Sequence, residues 1–131
     1  MSIQKHLTNK DLEEIPSSKN QITPPILTVN VDNYSPPGFA YGIIIRQDIN
    51  SNNRSISGFT APPAGVAATI AVCNINTSGK DLRFEHNNAG SSAPNRMLLR
   101  DAANKSIKPN ETAWFWYDHT DSRWRPYNRI G

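Results

Sequence analysis

A chain of 131 residues and 14.6 kDa holds one ordinary domain and a short appendage. Only 37% of it is hydrophobic and 19% charged, while 15 Asn, 12 Ser and 8 Thr outnumber the 25 charged residues and ten prolines break up any long helix. This composition excludes a helical bundle, a coiled coil and a membrane protein, and it suits short strands joined by polar turns. Formal net charge is +3, divided as −1 over residues 1–33 and +4 over 34–131. That is too weak a basic field for a dedicated nucleic-acid binder, so no nucleic-acid partner is expected.

The first segment, 1–25, stands apart. It has no aromatic residue and ends in Thr23-Pro24-Pro25. Its start lacks the apolar core of a signal peptide, and no stretch of the chain nears the roughly 20 apolar residues that cross a bilayer. A soluble product made in the cytoplasm, with no membrane partner, is the expectation. Thr8 can cap a short helix with Asp11 three residues on, and Leu7 and Leu12 stand where a hydrophobic staple needs them. Pro16 stops that helix at Ile15. A helix of about seven residues does not persist alone in water, so Leu7, Leu12 and Ile15 need a surface to lie on. Two uses fit equally: a strap or frayed tail on its own domain, or an anchor that docks on a larger partner.

From Ile26 the pattern changes to period two, which sets a domain over 26–131. Strands are predicted at 26–31, 41–46, 55–60, 67–75, 80–86, 96–100, 112–118 and 122–128, with turn residues between them. The fold class is all-β, a compact antiparallel sandwich or barrel preceded by the extended or helical anchor segment. In 81–86, Leu82, Phe84 and His86 share one face, and Asp81, Arg83 and Glu85 the wet one. In 112–117 both faces are apolar, with Trp114 and Trp116 on one, and Ala113, Phe115 and Tyr117 on the other. One core in a domain of this size does not cover both, so a second layer is required. Six of the eleven aromatic residues fall in 114–127. Such a concentration can complete a core, fill a subunit interface or form an exposed ligand platform.

Chemistry-bearing patterns are sparse. Cys73 is the lone cysteine, in the apolar run 67–73, where a buried inert thiol is expected and no intrachain disulfide can form. Asp118-His119-Thr120-Asp121 reads as a polar hairpin turn, since no HxxxH or CxxC spacing marks a metal. His86 ends its strand facing inward, hydrogen-bonded to backbone or Asn, or else on an oligomer axis. GxSxG, GxGxxG and GxxxxGK are absent, so neither catalysis nor a cofactor is expected. Arg123-Trp124-Arg125-Pro126-Tyr127-Asn128-Arg129 alternates as a last strand, with Trp124 inward and the arginines solvated. The same interleaving serves single-strand nucleic-acid binding in other proteins.

A set of spaced fragments carries a family likeness: Ile56-Ser57-Gly58-Phe59, Ile70-Ala71-Val72-Cys73-Asn74-Ile75, Leu82-Arg83-Phe84-Glu85-His86-Asn87, Ser92-Ala93-Pro94-Asn95-Arg96, the turn Lys108-Pro109-Asn110-Glu111, and Trp116-Tyr117-Asp118 followed by Ser122-Arg123-Trp124-Arg125. Over roughly 70 residues, Ile56 to Arg125, the chain resembles a small β-domain of tailed-bacteriophage virion proteins, especially fibre, decoration and receptor-binding components. It departs from that pattern in Trp114-Phe115-Trp116-Tyr117, where a plainer aliphatic strand is usual, and in Pro36-Pro37 and Pro62-Pro63. The resemblance implies a structural or adhesive homotrimer in the virion. Asn74, His86, Asn87, Asn95 and Arg96 are then polar members of the motif, and Trp116, Tyr117 and Trp124 packing members. It casts residues 1–25 as the anchor to a capsid or tail protein of the same particle, through Leu7, Thr8, Asp11, Leu12 and Ile15. It casts His86, Trp114, Phe115, Trp116, Tyr117 and Trp124 as the subunit interface or a platform for a host-surface glycan. A head fibre or capsid decoration role fits a short chain with no shaft better than a tail role. A monomeric carbohydrate-binding module is the rival.

Overall fold

A computed structural model describes residues 20–130. Eight short strands form two sheets: β1 (Gln21–Ile22), β2 (Ile43–Gln47), β3 (Arg54–Ile56), β4 (Thr69–Asn74), β5 (Leu82–Phe84), β6 (Lys105–Ile107), β7 (Thr112–Asp118) and β8 (Arg123–Pro126). One sheet has the order β1-β2-β4-β7-β8 and the other β3-β5-β6; they do not close into a barrel. The expected all-β class holds among the described residues, with only 3-10 turns at Ala93–Asn95 and Arg100–Ala102 besides the strands.

The sheets are mixed, which corrects the antiparallel expectation. The pairs β1–β2, β2–β4 and β3–β5 are parallel, and β4–β7, β5–β6 and β7–β8 antiparallel. The reason lies in the path of the chain. It leaves β2 for the other sheet at β3 and returns at β4, so β2 and β4 arrive side by side in the same direction. Apolar alternation marks a strand and its buried face but carries no direction.

Two segments expected as strands are seams instead. Leu27 bridges Ile49 beyond β2, Val31 bridges Ile56 in β3, and Tyr34 bridges Phe59. A segment that crosses from one sheet to the other cannot ladder continuously with either. Likewise Arg96 bridges Gly58, and Met97 bridges both His86 and Trp124, so that 96–97 stitches the end of β5 to β8. Gly58 is required at this seam: a Cβ there would lie 2.3 Å from the Asn95 carbonyl oxygen. Two strands were not anticipated, β1 and β6. β1 falls within the segment read as an anchor, with Gln21 and Ile22 paired to Ile44 and Ile45.

Aromatic rings from both sheets meet in the core. Phe84 of β5 packs edge-on to Phe115 of β7 at 5.1 Å between centroids, Phe59 lies 5.6 Å from Phe115, and Tyr117 lies 5.0 Å from Trp124. Phe59, Phe84, Phe115 and Trp124 are fully buried, and the indole N–H of Trp124 donates to the Phe59 carbonyl at 2.9 Å. Ring packing of this kind adds stabilisation beyond the area it buries.

The seams are held by asparagine. Asn30 and Asn53 accept from the backbone N–H groups of Ser55 and Asp81, and Asn104 from that of His86. Asn74 is fully buried: its amide donates to the carbonyls of Lys80 and Ile107 and accepts from the Asn76 N–H. It thereby ties β4 of one sheet to β6 of the other. Among the described residues every buried side-chain polar atom has a partner, as a stable interior demands.

Candidate functional site

β7 places its side chains alternately because successive Cβ atoms point to opposite faces. Ala113, Phe115 and Tyr117 are buried in the core, while Trp114 stays 43% exposed and Trp116 half-buried on the outer face. The register then sets their neighbours. Trp114 stands opposite Ala71 of β4, and Ala71 opposite Ile44 of β2; on the other side the Tyr127 N–H donates to the Trp114 carbonyl at 2.7 Å. Asn128 completes this side, accepting from the Trp114 N–H and donating to the Thr112 carbonyl. The result is an apolar row across the sheet, Ile44, Ala71, Trp114 and Tyr127, with Tyr127 63% exposed. Ala71 is fully buried although it faces outward, because larger side chains flank it. The next row holds Thr69, Trp116 and Arg125.

A charged clamp bounds the aromatic face at the β7–β8 hairpin. Arg125 reaches Asp118 at 2.8 Å and Asp121 at 2.6 Å. The hydrogen bond from Arg125 is the main cause holding the Asp118 carboxyl below its ordinary range, and Asp118 in turn raises the Arg125 guanidinium. Asp118 also accepts from the N–H groups of Thr120 and Asp121, which shapes the expected turn. Arg123 is drawn to the carbonyls of Asp121 and Ser122 and to Asn87. An apolar centre with a hydrogen-bonded charged rim is the anatomy of an association surface.

The six residues expected as one interface or platform divide into three places. Only Trp114 and Trp116 lie on the outer face. Phe115, Tyr117 and Trp124 are core residues, at 0%, 7% and 0% exposure, and cannot present a surface. Their strand parity and the ring cluster around Phe59 account for this. His86 is half-buried at the seam, where its Nδ1 accepts from the Leu99 N–H at 2.9 Å. The polar motif members brace backbone in the same way: Asn95 accepts from the Ala61 N–H, and Arg96 donates to the Ser91 carbonyl. Cys73, expected as buried, is half-buried on the outer face opposite Arg46 and Thr112. Trp124 turns inward and Arg123 and Arg125 outward, as the alternation of the last strand predicts. Leu7, Thr8, Asp11, Leu12 and Ile15 lie outside the described residues.

Ile44 went unread in the sequence, and Tyr127 was read only as one of the six aromatic residues concentrated in 114–127. For Ile44 a signal was available. The run Ile43-Ile44-Ile45 is apolar on both faces of its strand, the same signature that marks 112–117. Among the described residues no helix is long and apolar enough to cross a membrane. The chain matches no family model, no curated protein and no solved structure.

Proposed function

We propose that the chain is a non-enzymatic structural protein of a bacteriophage particle, a head fibre or capsid decoration protein. In this reading residues 20–130 form a two-layer β-sandwich that assembles as a homotrimer. The outer face of the five-stranded sheet meets neighbouring copies, and the part of the 1–25 segment that precedes β1 docks on a capsid or tail protein. One observation carries the assembly: Trp114 and Tyr127, large side chains on a hydrogen-bonded ladder, remain open on a single chain. Adjacent exposed rings on one sheet face are what a contact surface presents. Further copies of the chain are the occupants that suit it, because most soluble oligomers are closed homo-oligomers, and a threefold ring covers the same rings of every copy. The resemblance over 56–125 supplies the virion setting. Three linked anchors would then bind by avidity where one alone is weak.

Light scattering on the chromatographed full chain tests the assembly. A mass about three times that of the 14.6 kDa chain is expected, together with slow acrylamide quenching of all three tryptophans. A monomer at micromolar concentration, with a readily quenched fraction of the emission, defeats it. The virion setting is tested separately, by whether antibody to the chain labels intact particles.

The exposure of Trp114 beside Tyr127 favours one alternative, a monomeric carbohydrate-binding module or a host-glycan adhesin that stacks sugar on these rings. Addition of soluble host glycan to the monomer would then shift tryptophan emission, and Trp114→Ala would abolish the shift.

A further inference from the structure

Away from the tryptophan face, a cleft of about 330 Å3 opens between the turn after Leu99, the start of β6 and the segment that follows β8. This volume lies at the lower end of those that hold small ligands. Its apolar lining comes from Leu99, Pro126 and Ile130, of which Leu99 and Ile130 are buried at 5% and 4% exposure. Its charged lining comes from Arg100, Lys105 and Arg129. The remaining lining residue, Asn128, has its amide engaged by Thr112 and Trp114. The cleft therefore has apolar walls and three cationic residues along its lining, with little neutral polar chemistry between them.

Among the described residues the cationic charge at this place is incompletely paired. Among the described residues Lys105 and Arg129 make no salt bridge, and Arg100 is paired only with Asp101, at 2.9 Å, with both side chains substantially exposed. Exposed pairs of this kind are weak and readily exchanged. Asp101 and Ala102 both hold a left-handed backbone, at φ 60° and 52°. Such a conformation is costly for alanine and tolerable for aspartate or asparagine. The fold thus turns sharply behind Arg100 and leaves the Asp101 carboxylate on the guanidinium of a lining residue.

We propose that this cleft is a binding site for a small amphiphilic anion, its apolar body against Leu99, Pro126 and Ile130 and its carboxylate or phosphate between Lys105, Arg129 and Arg100. The Asp101 carboxylate competes with the incoming anion for Arg100. The proposal does not depend on the virion reading or on assembly, since none of its residues belongs to the row containing Trp114.

Chemical-shift titration of the full-length, 15N-labelled chain tests it with four probes: phenyl phosphate, 3-phenylpropionate, benzyl alcohol and inorganic phosphate. Saturable shifts at Leu99, Lys105, Arg129 and Ile130 are expected with the first two, and the tighter of them identifies the anion. Benzyl alcohol and inorganic phosphate, each lacking one half of the ligand, are expected to bind at least tenfold more weakly. Lys105→Gln and Arg129→Gln are each expected to weaken binding of the better acid about tenfold, the scale of one charge-assisted hydrogen bond. Asp101→Asn keeps a residue suited to positive φ and removes the competitor, so binding is expected to tighten several-fold. A misfolded variant would not produce that gain. Equal binding of benzyl alcohol, equal binding of inorganic phosphate, absence of saturable shifts with both acids, or an unchanged affinity in Asp101→Asn overturns the proposal.

Discussion

Trp114→Ser asks whether the open face is an assembly surface. In a single chain Trp114 is 43% exposed. A tryptophan side chain offers roughly 150–250 Å2, so about 65–110 Å2 of ring awaits cover. At about 25 cal/mol per Å2 this amounts to about 1.6–2.7 kcal/mol for each copy. If all three rings are covered in a trimer, their loss costs about 5–8 kcal/mol of association free energy. The concentration at half-assembly scales as the square root of a trimer's dissociation constant. It should therefore rise by about two to three orders of magnitude. Sedimentation equilibrium over a wide range of loading concentration reads this shift directly. The ring also has a covered part, so the monomer itself loses stability; urea unfolding measured well below the assembly midpoint separates that loss. Trp124, buried and bonded to Phe59, reports the core by its blue emission and should not change. An assembly midpoint that stays fixed in Trp114→Ser, with Trp124 emission intact, would refute the assignment of this face to the interface.

Asn74→Ala should lower unfolding free energy by about 3 kcal/mol, one for each of the three hydrogen bonds it makes; Asn74→Asp should cost more, because it aims a carboxylate at two carbonyl oxygens, and urea titration compares the two. Burial pushes the Tyr34 hydroxyl up to about 12 from 10.0. Its raised folded value means the stabilisation is intact below pH 10 and is lost as pH rises toward 12, by roughly 2–3 kcal/mol; alkaline unfolding of Tyr34→Phe should show a shallower fall over that window. Asp118 carries the opposite sign. Its carboxyl is held low by Arg125, so the clamp is present at neutral pH and is lost only as pH falls through that depressed value. Carboxyl NMR should place its midpoint below the usual Asp range in the native chain and return it toward that range in Arg125→Gln.

Strand positions were legible where alternation is strict. β7 and β8 lie within the stretches read from Thr112 and Ser122, and the parity of Leu82 and Phe84 against Arg83 is as written in the sequence. The same parity separates Trp114 and Trp116 from Phe115 and Tyr117. What it cannot show is which of two apolar faces finds a partner within the chain. That is settled at a distance, by Phe59 and Phe84 closing on Phe115. Strand direction was illegible for a related reason, because β2 and β4 become neighbours only through the excursion to β3. The cleft at Arg100, Lys105 and Arg129 left no local trace, since its cations come from three separated stretches joined by the fold.

The abundance of asparagine follows from the same geometry. Strands of two to seven residues leave many backbone N–H and C=O groups just beyond their ends, and a buried one without a partner costs as much as a lost hydrogen bond. Longer ladders would satisfy them, but a chain that changes sheets between β2, β3 and β4 has no room for longer ladders. A side-chain amide carries a donor and an acceptor like the peptide group itself, so Asn30, Asn53, Asn104 and Asn128 extend the pairing past the point where backbone geometry ends it. Asn74 does so between the two sheets. Asn128 bonds the backbone of Thr112 and Trp114, so the strand position of Trp114 is a consequence of this scheme. A strand whose backbone is tied on both sides is already ordered before anything meets it, and association then costs less backbone conformational entropy.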